Sequence, residues 1–243
     1  FDLRRLILDG REDDGAKEDL RESFRAKGLL PPGSMGDLEF DTAWSTAQEI
    51  RAMVLEACNG SEPVRVPVHD LQVGDYRFTG FLERCADGLC VIDSRAGKVR
   101  RKDQMALWIK HLLALASGRV GPSRFIGIDD TPFTLPALGQ EEAARHLVGL
   151  ARLFDAGKSR PLRFFLNTSY EVANGKDGDS VWISTQFDPG ESDDPWIKYA
   201  FRGADPRTDF PIEGDETFDS IARAVWGPLI EATRAAPRGG KRA

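Results

Sequence analysis

The apolar residues change their period part-way along the chain, and no other feature limits the fold as much. From 38 to 57, Phe40, Ala43, Trp44, Ala47, Ile50 and Val54 recur at helical spacing, which predicts one amphipathic helix. From about residue 62 the spacing becomes an alternation. Val64, Val66 and Val68 are separated by Arg65 and Pro67, as in a half-buried strand whose proline places it at an edge. A chain that passes from period 3.6 to period 2 and back is expected to lay helices on a sheet.

The remaining segments extend this pattern. The rigid Leu29-Leu30-Pro31-Pro32-Gly33 turn predicts that a preceding helix ends near Ala26. Tyr76–Arg84 and Leu89–Asp93 flank Ala86-Asp87-Gly88, which reads as a hairpin. A helix is expected from about 101 to 117, with Met105, Trp108, Leu112 and Leu115 on one face and Gly118 as its stop. A second β pair, Arg124–Ile128 and Phe133–Leu135, surrounds the turn Asp129-Asp130-Thr131-Pro132. Another helix follows Gly139, with Glu141 and Glu142 in its first turn and a stripe of Ala143, Leu147, Leu150 and Phe154. A last helix begins near Asp215 and carries Phe218, Ile221, Ala222, Val225, Leu229 and Ile230 on one face, with a kink expected at Pro228. The fold class expected is α/β (α+β), a small mixed sheet flanked by helices. One structural domain is expected: a helical segment at 1–60, an α/β core at 61–236 and a basic flexible tail at 237–243.

Composition narrows the class. At 243 residues, 41% hydrophobic and 30% charged, the chain can bury a core and reads as globular. It has no apolar run long enough to cross a membrane. The first residue is Phe1, so a piece of a longer chain is expected, and no basic-then-apolar leader follows. Cys58, Cys85 and Cys90 have no CxxC spacing, which argues against zinc and disulfides and for a cytoplasmic setting. A net charge of −6 disfavours a general polyanion binder but leaves room for a local basic groove.

Several chemistries lack their residues. His69, His111 and His146 make no HExxH or Cys/His ligand set and read as structural. There is no GxSxG elbow for a triad hydrolase and no GxxxxGK[ST] loop for an ATPase. One constellation remains: Gly80-Phe81-Leu82-Glu83, then Val91-Ile92-Asp93-Ser94-Arg95, then Gln104 through Trp108. It resembles the RecB-like branch of the PD-(D/E)XK nucleases, whose pattern is GxxD, a strand ending in DYK and a helix opening QxxxY. The resemblance implies a restriction-endonuclease-like fold. Glu83 and Asp93 take the acidic positions, Arg95 the lysine position and Gln104 the helix motif.

In such a site adjacent carboxylates hold Mg²⁺, which lowers the pKa of the attacking water, and a lysine helps to place that water. Here the elements are altered. Glu for Asp displaces ligand oxygens by about a methylene, roughly 1 Å, an error that can cost ~10²-fold. Arg95 cannot give up its proton and suits a carboxylate pair, expected with Asp93 or Glu83 in place of the metal. The histidine that active members carry upstream has no counterpart near Gly36–Phe40. The positions therefore read as a degenerate site without metal or catalysis.

Longer stretches are more specific. LRESFRAKGLLPPGSMGDLEFD (20–41), RRKDQMALWIKHLLALASG (100–118), RPLRFFLNTSY (160–170), GESDDPWIKYAFRGADP (190–206) and FDSIARAVWGPLI (218–230) each resemble a C-terminal segment of the RecC (gamma) family of RecBCD-type helicase–nucleases, exodeoxyribonuclease V. They occur in order, while the stretch from Glu171 to Thr185 fits less well. The resemblance implies a non-motor, non-nuclease scaffold in double-strand-break repair that works with RecB-like and RecD-like subunits on double- and single-stranded DNA. It implies no cofactor in this domain, Mg and ATP being used by the other subunits.

Two further groups complete the candidates. Lys98, Arg100, Arg101 and Lys102 form the densest basic run, at a helix start where the helix dipole disfavours them, and are candidate phosphate contacts. Trp196, Phe201 and Arg202 are of types enriched at interface hot spots and are candidate subunit contacts. Glu191, Asp193 and Asp194 read as a solvated acidic turn. Two alternatives stand beside the scaffold reading: an active Mg²⁺- or Mn²⁺-dependent nuclease using Glu83, Asp93 and Arg95, and a pure protein-interaction module.

Overall fold

The computed structural model describes residues 17–129, 131–208 and 217–235, with the backbone alone at 83–85 and 235. The 237–243 tail and the expected helix start at Asp215 lie outside the described residues. Helix α1 (Lys17–Ala26) packs against α2 (Ser34–Ala57). Phe24 meets Phe40 edge-on at 6.0 Å, and the Arg21 guanidinium covers Phe40 at 5.1 Å while bonding Asp41 at 2.8 Å. Helix α2 begins four residues before the start expected at 38.

Strands β1 (Val64–Val73) and β2 (Tyr76–Cys85) pair antiparallel as a separate two-stranded sheet. This corrects the expected hairpin. The partner of β2 is β1, joined through Gly74 and Asp75, and Gly74 has φ +58° at the position where two-residue hairpins favour glycine. The Ala86-Asp87-Gly88 turn is closed by a single Ala86–Leu89 bridge. Glycine and aspartate occur at both turns, so local chemistry could not choose between them; the length of the flanking extended runs did. With only two strands, both β1 and β2 are edges, and Pro67 sits in one of them.

The second sheet has the order β3-β4-β5. Strand β3 (Ile92–Ser94) runs parallel to β4 (Ser123–Ile126), and β4 runs antiparallel to β5 (Phe133–Leu135) across the expected 129–132 turn. A parallel pair needs a crossover, supplied by α3 (Arg101–Ala116). Alternation then sorts the faces. Ile92 and Ile126 pack on Ile50, Val54 and Cys58 around α2, whereas Val91 and Phe125 join Trp108, Leu112 and Leu115 of α3. The result is a small mixed sheet with helices on both faces, the α/β class expected.

Helix α4 (Gln140–Ser159) packs on α3 through Ala143 and Leu147. The predicted stripe is longer than its cover: Phe154 is exposed, with only the Lys158 ammonium 4.9 Å over its ring. Short helices α5 (Leu166–Ala173), α6 (Asp179–Trp182) and α7 (Pro195–Ala200) follow. Helix α8 (Phe218–Ala235) continues through Pro228 and packs on α5, where the Trp226 indole donates to the Leu166 carbonyl at 3.1 Å. No helix among the described residues is long and apolar enough to cross a membrane.

Candidate functional site

Asp93 is the second residue of β3 and pairs with Phe125, so strand alternation turns it to the α3 face. There Lys110, three turns into α3, donates to Asp93 Oδ2 at 2.6 Å, while the Ser94 amide donates to Oδ1 at 2.9 Å. Sequence reasoning missed Lys110, which lies seventeen residues away. Only the β3–α3 crossover brings it back over the strand.

Arg95 does not pair as expected. Its backbone amide extends the parallel ladder to the Ile126 carbonyl, and its guanidinium donates to Asp103 Oδ2 at 3.0 Å. Asp103 stands in the first turn of α3 and also accepts from the Arg100 amide at 2.9 Å. A carboxylate there answers both the open amides and the dipole of the helix, which holds it in place to capture Arg95. The residue that stands for the lysine is thereby tied to the helix start rather than to Asp93. Gln104 accepts from Arg101 Nη1 at 3.0 Å, and the Arg101 guanidinium lies 3.5 Å over Tyr170. Of the basic run, then, Arg101 is packed into the fold while Lys98, Arg100 and Lys102 are exposed.

Glu83 lies in β2, and its side chain is outside the described residues. Among the described residues no three His, Cys, Asp or Glu side chains gather as a metal site. Asp93 stands with an ammonium against one carboxylate oxygen and an amide against the other. A divalent cation on Oδ2 would face Lys110 directly, so these side chains as they stand do not fit Mg²⁺.

His111, one turn beyond Trp108, is fully buried and links three elements. Its ring nitrogens lie 2.8 Å from Ser123 Oγ and 3.0 Å from the Pro136 carbonyl. The carbonyl can only accept, so Nε2 carries the proton, and Nδ1 accepts from Ser123, whose oxygen in turn accepts from the Val91 amide at 3.1 Å. Burial pushes the imidazole down from 6.5 to about 4, against the Pro136 bond. It is therefore a neutral structural bolt, as the absence of a ligand pattern implied.

A second constellation lies around α7. Trp196 is 80% exposed, whereas Phe201 is buried, edge-on to Phe165 at 5.9 Å. Arg202 is exposed and has φ +53° just after α7. The three candidates are thus near in sequence but divided between surface and core. Asp193 and Asp194 of the acidic turn are exposed as expected, but Glu191 caps α5. Its carboxylate accepts from the Asn167 and Thr168 amides at 2.9 and 2.8 Å, and from Thr168 Oγ1 at 2.6 Å. Asp194 caps α7 through the Trp196 and Ile197 amides, and Asp193 pairs with Lys198 at 2.8 Å. These carboxylates are structural because each meets an open helix end or a cation. For Asp194 the signal was readable in the Asp-Pro step that opens α7.

The family model described as the RecC C-terminal domain matches residues 1–177, which include Asp93, Arg95 and Lys110 but not Trp196. The RecBCD enzyme subunit RecC of Escherichia coli (strain K12) is 28% identical over 229 residues, covering 86% of this chain and 20% of that protein. The chain therefore spans about a fifth of the length of the curated relative it matches. With nearly three quarters of its residues inside the family model, this chain belongs to the RecC C-terminal domain family.

Proposed function

We propose that this domain is a non-catalytic, nuclease-like scaffold and DNA-contacting part of a RecC subunit in a cytoplasmic RecBCD-type helicase–nuclease. It acts in recombinational repair of double-strand breaks beside RecB-like and RecD-like subunits, which supply the Mg- and ATP-dependent chemistry. The observation that carries the non-catalytic reading is the Lys110–Asp93 pair at 2.6 Å, with Arg95 drawn to Asp103. The carboxylate that would hold a metal is already neutralised, and the basic residue beside it cannot act as a base. Lys98, Arg100 and Lys102 project from the start of α3, close by, and make phosphate contacts in this reading. Exposed Trp196 and Arg202, backed by buried Phe201, form a subunit contact.

The test is incubation of the chain with end-labelled forked and single-stranded DNA in Mg²⁺ and in Mn²⁺, alongside Asp93→Ala. No cleavage by either protein is expected. Cleavage by the parent that disappears in Asp93→Ala would replace this reading with a working nuclease.

A further inference from the structure

A groove of about 660 Å³ opens between the 161–166 segment and α7. Its walls are mostly apolar, including Pro161, Leu162, Phe164 and Ile197, and buried Phe165 and Phe201 make its floor. Gly190 allows the chain to cross tightly beneath the rim: a Cβ there would stand 2.3 Å from the Trp182 carbonyl oxygen. Trp196 forms one lip, and Tyr199, 82% exposed, stands one turn further along α7. The lip is held in place by the Asp194 cap and the Lys198–Asp193 pair, so an incoming group meets a largely pre-formed surface.

The sign of the groove's charge selects its occupant. Among the described residues the charged lining is Glu191, Asp193 and Asp194, all carboxylates. Lys198 offsets Asp193, but capping does not discharge Glu191 and Asp194, because a helix end offsets only about half a unit charge, so the lining stays net negative. Exposed Trp and Tyr rings can stack nucleic-acid bases, but single-strand platforms combine such rings with a positive groove, and this one has the opposite sign. An aromatic lip above carboxylates instead suits a cationic side chain, which gains from the ring face and the negative rim together.

We infer that this groove docks a basic segment of a partner protein, an arginine or lysine lying on Trp196 and its apolar neighbours entering the groove. The inference deepens the subunit-contact part of the proposed function and rests on it. Its partner is defined by that chemistry, not by which subunit carries it.

The test is selection of a randomised dodecapeptide library on phage against the whole chain, counter-selected against the Trp196→Ala chain. Trp196 is exposed, and matching circular dichroism will show that the variant is folded. Net-positive peptides with apolar residues should be enriched. Their affinity should fall at least about tenfold in Trp196→Ala and Tyr199→Ala, and should weaken with salt. Enrichment of acidic or uncharged peptides, or none that depends on Trp196, would overturn the inference. So would oligo-dT binding that is lost in Trp196→Ala, which would make the lip a nucleic-acid platform. None of these outcomes bears on cleavage, so the docking inference can fail while the non-catalytic reading stands, and the reverse.

Discussion

Lowering the pH from about 7 to about 5 should destabilise this domain through His111 by about 2 kcal/mol. The ring is sealed between Ser123 and the Pro136 carbonyl, with its pKa held near 4. In the unfolded chain it titrates near 6.5. As the pH falls the unfolded state takes up the proton first, so the contribution is complete above about 6.5 and is lost on the way down to about 4. One pH unit across that window is worth about 1.4 kcal/mol, so the one and a half units down to pH 5 cost about 2 kcal/mol. That is a sizeable part of the roughly 5–15 kcal/mol that holds a domain folded. Urea melts followed by tryptophan fluorescence across this range, for the parent chain and His111→Gln, isolate the effect. Glutamine cannot titrate, and every other group cancels in the difference. The variant should start less stable by about 1–3 kcal/mol because Ser123 or Pro136 loses its partner. It should then converge on the parent as the pH drops. Two lines that stay parallel from pH 7 to pH 5 would refute the assignment of a neutral, sealed imidazole.

Other perturbations read the remaining contacts. Glu191→Ala strips the α5 start of its acceptor and should cost about 2 kcal/mol, with hydrogen-exchange protection lost first within 166–173. Lys110→Met should cost only about 1 kcal/mol, because the pair is partly solvated; adding Asp93→Asn should restore most of it, as a double-mutant cycle of urea melts will show. Replacing Lys98, Arg100 and Lys102 by alanine should flatten the salt dependence of DNA binding by up to about 0.9 in log–log slope per lost phosphate contact. An unchanged slope would remove this run from the DNA path.

Local pattern carried much of this protein. The helical repeats at Phe40–Val54 and Phe218–Ile230 and the pairing of β4 with β5 read correctly from sequence, because a helix face or a short β connection is decided by residues within a few positions of one another. The family was legible too, in ordered segments spread over most of the chain. Partner choice was not. Periodicity states that a face is buried but is silent on what buries it, so β2 was given the wrong neighbour and Phe154 a cover that does not exist. The candidate site shows the same division. Asp93 and Arg95 were visible as an acid–x–base step, but Lys110 and Asp103 became their partners only when the parallel crossover set α3 over β3. Likewise Glu191 is an acidic loop residue until α5, more than twenty positions earlier in the chain, turns its open amides toward it. The sequence by itself determined the long helices, most of the strands and the family, but not the short helices α5, α6 and α7. Which charges neutralise one another was decided by the tertiary structure alone, because an ion pair requires two side chains within about 4 Å and the chain between them can be of any length.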